Sequence, residues 1–168
     1  MKHLVFVIFV WPGAAQASEE LVALYGPLLD QCYEQAVGSL DRSWCIGTLS
    51  QACISREEDG ESTLGMSQCI YSEAEFWDDL LNTEYRLTMD WAEVMDDDDL
   101  EYFPEYANRA KVLRDAQRAW ITFRDAECEL QFAIWGSGSM RHIAGSDCIM
   151  QLTAERTIEL RAKRESFE

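Results

Sequence analysis

The chain has 168 residues, 48% of them hydrophobic, and 31 Asp and Glu residues against 14 Lys and Arg give a formal net charge of −17 at pH 7. So large an acidic excess excludes nucleic acid and anionic membrane surfaces as natural partners, because both favour basic proteins. A basic protein or a cationic ligand would instead be attracted, although the same charge would also keep an exported protein soluble.

The first seventeen residues, MKHLVFVIFVWPGAAQA, have the pattern of a signal peptide. Lys2 precedes an apolar run from Leu4 to Trp11, and Ala15-Gln16-Ala17 supplies a small-x-small cleavage site. The run is too short to span a bilayer, which needs ~20 residues. We therefore expect a periplasmic or secreted protein that begins at Ser18, with no membrane anchor, since no cysteine for lipid modification follows the cleavage site.

Two shorter helices are predicted next, from SEELVALYGPLLDQCYEQAV (18–37) and RSWCIGTLSQACIS (42–55), around the turn GSLD (38–41). The polar segment REEDGEST (56–63) is expected to be a loop. We predict that residues 18–52 form an N-terminal helical hairpin and that residues 53–168 form the main helical domain.

The segment from Met66 to Trp135 contains no glycine, and Pro104 is the only proline within this segment. This lack of helix breakers predicts long helices. The first is expected to run from an N-cap at Thr63 to about Met95, and DDDDL (96–100) is expected to be the turn after it. The glycine and glutamate spacing of a calcium-binding EF-hand is absent from this acidic segment.

Pro104 suits the first position of the next helix, and Gly136 can end that helix in the left-handed conformation. The apolar residues expected on its packed side are Leu113, Ala116, Trp120, Phe123, Leu130 and Ile134. A flexible loop, GSGSMRHIAG (136–145), would follow, and Ser146 and Asp147 would start a last helix to about Arg164. The predicted fold is an all-α, disulfide-bonded helical bundle with two or three long helices plus the N-terminal hairpin.

An even number of cysteines in an exported chain of this size predicts disulfides. The six cysteines are Cys32, Cys45, Cys53, Cys69, Cys128 and Cys148. Two of them, Cys45 and Cys53, fall on one predicted helix about 12 Å apart, too far to bond. Sequential pairing would close each helical hairpin beside its turn, which predicts the bonds 32–45, 53–69 and 128–148.

The segment AQRAWITFRDAEC (116–128) carries Trp120, Arg124 and Cys128 at four-residue steps, so they lie on one stripe of a helix. A partly buried arginine requires a carboxylate partner. Asp78 is the predicted partner, since Asp125 is expected to point about 100° away around the helix. We interpret this stripe as a structural seam between helices.

The loop GSGSMRHIAG presents Met140, Arg141 and His142, and a 128–148 disulfide would hold both of its ends. The candidate partner-binding residues are Ser137, Ser139, Arg141 and His142. A tethered loop with hydrogen-bonding side chains in an acidic protein is a candidate contact element for a partner. The alternative is an ordinary connection between helices.

No motif of an enzyme is present: there is no G-x-S-x-G, phosphate loop or dinucleotide fingerprint. His142 is the one histidine after residue 17, and no C-x-x-C occurs, so neither a metal site nor a cofactor is expected. Paired carboxylates for glycoside hydrolysis need geometry to identify them among so many acids. We expect no catalysis, and an unrecognised hydrolase stays an alternative.

A pattern of residues runs through most of the chain after the predicted N-terminal hairpin. Its members are Thr63, Met66, Cys69, Asp78, Leu81, Asn82, Tyr85, the segment 116–128, Gly136-Ser137, Cys148, Thr153, Arg156 and Leu160. This pattern resembles the lysozyme inhibitor LprI N-terminal domain family. It covers roughly residues 53–162. Cys32 and Cys45 lie outside the four-cysteine core of that family, which fits an added N-terminal hairpin.

The resemblance implies an exported, helical, disulfide-bonded domain, and the member that gives the family its name inhibits lysozyme. The functional hypothesis is therefore binding to a basic protein such as lysozyme, without catalysis. The alternative hypothesis is an interaction module of the cell envelope with a different partner.

Overall fold

A computed structural model describes residues 13–167, and this part of the chain consists of helices joined by turns, without a β-strand. The elements are α1 (Gly13–Gln35), α2 (Gly38–Ser43), α3 (Thr48–Arg56), α4 (Thr63–Asp99), a 3-10 turn (Pro104–Tyr106), α5 (Arg109–Ile134) and α6 (Met140–Glu165). The all-α prediction is confirmed. Most of the predicted signal peptide, residues 1–12, lies outside the described residues.

Helices α4, α5 and α6 form an up-down-up bundle in which α4 and α6 run parallel and make the most extensive contact. Ser67 contacts Ser146 near the start of both helices, and the Thr157 hydroxyl contacts the Trp77 carbonyl near their middle. Helices α1 and α3 pack on α4, and α2 packs against the end of α6. None of the described helices is long and apolar enough to cross a membrane.

The core lies between α1, α3, α4 and α6 and centres on Trp77, which is fully buried. The edge of the Trp77 ring meets Tyr33 with the centroids 5.6 Å apart. The other large members of this core are Tyr25, Leu29, Leu49, Met150 and Ile158. Because this cluster joins the N-terminal helices to α4 and α6, the described helices pack around one core.

The three disulfides are Cys32–Cys45, Cys53–Cys69 and Cys128–Cys148, the pairs that the sequence predicted. That prediction assumed that Cys45 and Cys53 share one helix, and this assumption was wrong. Gly47, with φ of 95°, separates α2 from α3, so Cys45 lies in the turn and does not share a helix with Cys53. Each bond nevertheless closes a hairpin beside its turn, which removes chain entropy from the unfolded state.

Several predicted helix ends were wrong because side chains cap the backbone in ways that the pattern does not reveal. Ser62, and not Thr63, is the N-cap of α4, since its Oγ accepts a hydrogen bond from Gly65 N at 2.9 Å. The aspartates 96–99 form the last turn of α4 instead of a connection. Pro104 starts the separate 3-10 turn, and α5 begins five residues later, at Arg109.

The expected loop 136–145 is also mostly helical, because α6 already begins at Met140. Gly136 has φ of 53°, which confirms the left-handed end of α5. The prediction of which α5 residues are packed was wrong in part. Three of the apolar residues expected to be packed are exposed: Phe123 at 55%, Leu130 at 53% and Ile134 at 65%. Ala116 is exposed as well.

A buried carboxylate, Glu73, connects α3 to α4. Its Oε1 accepts hydrogen bonds from Gly47 N at 2.6 Å and Trp77 Nε1 at 3.0 Å, and its Oε2 accepts one from Ser50 N at 2.7 Å. Gly47 and Ser50 lie at the start of α3, so Glu73 caps that helix from the side of α4.

We predict that Glu73→Gln lowers the free energy of unfolding by about 2–3 kcal/mol, because an amide NH₂ would replace an acceptor and leave a buried N–H without a partner. Chemical denaturation of the oxidised protein measures this change. Glu93→Gln, at an exposed position on the same helix, is the matched control. Equal midpoints for the two variants would contradict the structural role of Glu73.

Asp96, in the last turn of α4, caps the start of α5. Its two carboxylate oxygens accept hydrogen bonds from Arg109 N at 2.9 Å and Ala110 N at 3.0 Å. Burial acts to raise the pKa of Asp96, but these donors and the Arg109 guanidinium outweigh it and hold the pKa below 3.8. The carboxylate therefore stabilises the fold above that pH, and the contribution is lost as the pH falls through the lowered pKa.

We expect Asp96→Ala to cost about 1 kcal/mol near neutral pH, the usual value of a helix N-cap. The difference from the unaltered protein should shrink in acid, as measured by denaturation at a series of pH values. Asp97→Ala, at the exposed neighbouring position, should have little effect. A loss that is independent of pH would contradict capping by the ionised carboxylate.

Candidate functional site

The end of the α5–α6 hairpin is the most prominent candidate for a binding site, and we call residues 134–142 the α5–α6 tip. The tip begins six residues, about 9 Å, beyond Cys128 along α5, and the Cys128–Cys148 bond joins the two helices below it. Backbone hydrogen bonds hold the turn, from Gly136 N to Ala133 O at 3.0 Å and from Gly138 N to Trp135 O at 2.9 Å. The tip is therefore a short, cross-linked turn.

The four residues predicted to contact a partner all lie in the α5–α6 tip. Ser137 and Ser139 are exposed in the turn, while Arg141 and His142 lie in the first turn of α6. The Arg141 guanidinium lies 5.2 Å from the Phe132 ring centroid, and the His142 and Phe132 rings meet edge to face with their centroids 5.4 Å apart. These two side chains are thus ordered against α5 and do not extend from a flexible loop.

Arg141 keeps hydrogen-bonding capacity in this position. Its Nη1 donates to Gly136 O at 3.3 Å and its Nε donates to His142 Nε2 at 3.4 Å. A guanidinium has five N–H donors, so the remaining three are available for a partner. A carboxylate is the group that best matches this fork.

The sequence placed Met140 in the loop but did not identify Ile134 and Trp135 as exposed apolar residues of the tip. Ile134 is 65% exposed, Trp135 47% and Met140 41%. Aromatic and methionine side chains are enriched in the cores of protein interfaces, and tryptophan often contributes most of the binding energy. The signal was present in the sequence, since Trp135 directly precedes the helix-ending Gly136.

Trp120 and Arg124 of the predicted structural seam lie in a separate cluster in the middle of the bundle. Two guanidinium groups lie near the Trp120 ring, with Arg124 at 5.2 Å and Arg156 at 5.9 Å from its centroid. Arg156 is buried, and it donates to Gln117 Oε1 at 2.9 Å and Glu159 Oε2 at 2.7 Å. The contact of Arg156 with Trp120 and its hydrogen bond to Gln117 attach α6 to α5, whereas the contact of Arg124 with Trp120 lies within α5.

Arg124 connects three helices. Its Nη1 lies 3.2 Å from Asp78 Oδ1 on α4 and 3.4 Å from Thr153 Oγ1 on α6, so the expected ion pair with Asp78 is present. Asp125 was expected to point away from Arg124 and not to pair with it. This expectation was wrong, because Arg124 Nε donates to Asp125 Oδ1 at 3.0 Å. The arginine side chain is long enough to bend toward its neighbour, although the two residues leave the helix in different directions.

An acidic groove lies beside this cluster, between α1, α4 and α5. It is open to solvent, and Glu19, Glu75, Asp78 and Asp79 line it together with Arg124. Four carboxylates against one guanidinium make its local charge negative. This groove would strengthen the attraction of the chain for a basic partner.

Metal ligation finds no support within residues 13–167, where no group of three or more His, Cys, Asp or Glu side chains is placed to hold an ion. The six cysteines are all consumed in disulfides. The residues available at the tip are hydrogen-bond donors and exposed apolar groups, which can bind a protein surface.

Comparison with known proteins gives one family match. The family described as lysozyme inhibitor LprI matches residues 53–160. An uncharacterized protein, R02472, from Rhizobium meliloti (strain 1021) is 35% identical over 107 residues, 64% of this chain and 77% of that protein. An uncharacterized 17.7 kDa protein in the puhA 5'region of Rhodobacter capsulatus is 27% identical over 144 residues, 83% and 86% of the two chains. No solved structure matches at a significant level.

We predict that Arg124→Lys lowers the free energy of unfolding by about 1 kcal/mol, because an ammonium keeps the charge but cannot replace the guanidinium fork and its stacking on Trp120. Thermal and chemical denaturation measure the loss. The control is Arg118→Lys, on an exposed position of the same helix, which should leave stability unchanged. If partner binding fell while stability stayed constant, Arg124 would belong to the binding surface and not to the seam.

Proposed function

Because the chain belongs to the lysozyme inhibitor LprI family, we propose that it binds a lysozyme in a stoichiometric complex and blocks its active-site cleft. The protein would act through binding and would catalyse no reaction. The observation that carries the proposal is the α5–α6 tip, in which exposed apolar residues and an arginine are presented on a cross-linked turn.

Order in the tip supports a role in inhibition. A binding element that is already fixed loses little conformational freedom when it docks, and this lowers the cost of association. The Cys128–Cys148 bond and the contacts of Arg141 and His142 with Phe132 provide that order. Trp135 would supply the apolar anchor.

The chemistry of the target supports the same contact. Glycoside hydrolases of the lysozyme type hydrolyse their substrate with two carboxyl groups in a cleft. Arg141 has N–H donors left for such a carboxylate, and Ser137 and Ser139 would donate further hydrogen bonds. We propose that the tip enters the cleft and pairs with these carboxyl groups.

Charge supports encounter with the target at a distance. Many lysozymes are strongly basic, and this chain carries a formal net charge of −17. Opposite net charges raise the rate of association, and salt weakens this effect. The acidic groove beside Arg124 adds to the attraction.

An oxidising compartment outside the cytoplasm fits the proposed inhibition of lysozyme. Three disulfides are typical of proteins in oxidising compartments, such as the periplasm or the extracellular space. We propose that residues 1–17 direct export and are removed near Ala17. The mature protein would then share a compartment with cell-wall hydrolases.

We predict that the oxidised mature protein inhibits lysis of a cell-wall suspension by lysozyme, with saturation near one inhibitor per enzyme. Trp135→Ala should weaken inhibition about 30-fold, equivalent to a hot spot of roughly 2 kcal/mol. Arg141→Ala should weaken it about tenfold. Turbidity at about 150 mM salt measures these effects, since screening reduces purely electrostatic pairing.

Trp44→Ala is the matched control for this experiment. Trp44 is 78% exposed, but its neighbour Arg42 pairs with Glu165 at the opposite end of α6 from the tip. An acidic protein of unrelated fold controls for charge. Inhibition that is unaffected by both tip substitutions would contradict the tip as the contact, and no inhibition of any lysozyme type would favour a different partner in the cell envelope.

A further inference from the structure

Ser18, the first residue expected after removal of the signal peptide, is buried where α1 meets α4. Only 5% of its surface is exposed. Its hydroxyl donates to Glu75 Oε2 and lies 3.2 Å from Ser72 Oγ, and both of these partners are on α4. Contacts across the fold therefore fix the residue that would begin the mature chain.

The surroundings of the bond between Ala17 and Ser18 are acidic. Ala17 lines two open cavities, one of which contains Ser18 and Glu75. The other cavity is lined by four further acidic residues: Glu20, Glu57, Glu58 and Asp59. Among the described residues that line these two cavities there is no lysine or arginine.

Every element packed around Ser18 presents acidic or uncharged groups to it. Helix α1 contributes Glu19 and Glu20, the turn before α4 contributes the acids of residues 57–59, α4 contributes Glu75 and the Tyr71 phenol, and α6 contributes Ser146. The cations on the adjoining surfaces are engaged elsewhere. The Arg56 guanidinium lies over the Tyr25 ring, and Arg124 pairs with Asp78.

Removal of the signal peptide creates a positive charge at this position. Hydrolysis of the bond between Ala17 and Ser18 adds one water molecule: Ala17 keeps a carboxylate, which leaves with the signal peptide, and the Ser18 nitrogen becomes an ammonium. This nitrogen is three covalent bonds from the hydroxyl that contacts Glu75, so the charge forms beside that carboxylate. The dipole of α1 repels an ammonium at its first residue, and nearby carboxylates offset this repulsion.

We propose that the α-ammonium of mature Ser18 is bound by Glu75 and the surrounding carboxylates, and that this ion pair locks the start of α1 onto α4. The ligand of the acidic site is thus the chain's own new terminus. The proposal rests on the removal of residues 1–17 that is proposed above, and it does not depend on inhibition of lysozyme. In the unprocessed chain the same nitrogen is an uncharged amide, so only processing forms the lock.

The structure also sets the order of events. The bond between Ala17 and Ser18 lies within α1, and Ser18 is buried on α4. Proteases cleave exposed and irregular backbone in preference to a docked helix. Removal of the signal peptide therefore precedes docking of the start of α1, and the ammonium is already present when that end of the helix packs.

The mass of the protein exported by a bacterial host tests the first step. We expect a chain that begins at Ser18. A chain that begins at any other residue would overturn both cleavage after Ala17 and the lock. It would leave the proposed inhibition of lysozyme to be decided by the turbidity assay alone.

Titration of the α-amine tests the ion pair in the oxidised mature protein. Reductive methylation with 13C-formaldehyde labels three amines, since Lys111 and Lys163 are the only lysines after residue 17. The 13C-methyl shifts of these amines, followed by NMR over a pH series, report their ionisation. We expect the acid dissociation constant of the α-ammonium to be about tenfold lower in the folded protein than in the same protein unfolded in urea.

Glu75→Gln should remove most of this difference, because it replaces the carboxylate by a neutral amide. Glu93→Gln, at an exposed position of the same helix, is the matched control and should preserve the difference. The two lysines serve as internal controls and should titrate alike in all three proteins. An α-amine that titrates alike in the folded and unfolded protein, or alike in the unaltered protein and Glu75→Gln, would overturn the proposal.

Chemical removal of the charge tests the lock without a mutation. Cyanate at neutral pH carbamylates the α-amine, while the lysines react slowly because they are protonated. Carbamylation should lower the denaturation midpoint of the unaltered protein and leave that of Glu75→Gln nearly unchanged. Equal losses in the two proteins would show that Glu75 holds only the Ser18 hydroxyl, and the ion pair would be wrong.

Discussion

The carboxylate of Glu73 is fully buried between α3 and α4, and three N–H groups donate to it. A carboxylate removed from water is costly unless its oxygens accept such bonds. The donors come from the start of α3 and from Trp77, so these parts must be in place together. Since Tyr33 packs against the Trp77 ring and Thr157 contacts its backbone, the position of α1 and α6 depends on the same interaction.

Helix α5 is attached to this core in a different way. Its inward side has few fully buried residues, and Trp120 with the guanidinium groups of Arg124 and Arg156 provides much of the contact. Cation–π and ion-pair contacts of this kind require specific geometry but bury little apolar area. The Cys128–Cys148 bond compensates by joining α5 to α6 covalently. As a result, α5 is fixed in position while its apolar outer side stays in solvent.

The surface is thereby divided among different kinds of contact. The α5–α6 tip combines exposed apolar groups with the donors of Arg141, the groove beside Arg124 is acidic, and Val112, Phe123 and Leu130 of α5 are exposed apolar residues. A basic enzyme is attracted by the acidic groove and can be contacted by the tip.

The sequence by itself determined the helical class, because a breaker-free segment from Met66 to Trp135 has few other ways to satisfy its backbone, and it determined the disulfides, because each pair flanks a turn. The left-handed end at Gly136 and the family match follow from local residues as well. Periodicity, however, shows which residues share a helix face and not which face meets a neighbour. Only the tertiary structure decided that the Phe123 side of α5 faces solvent and that Glu73 is buried in the core. It also decided that α6 begins at Met140, early enough to order the tip. Each of these outcomes depends on contacts between residues that are distant in sequence.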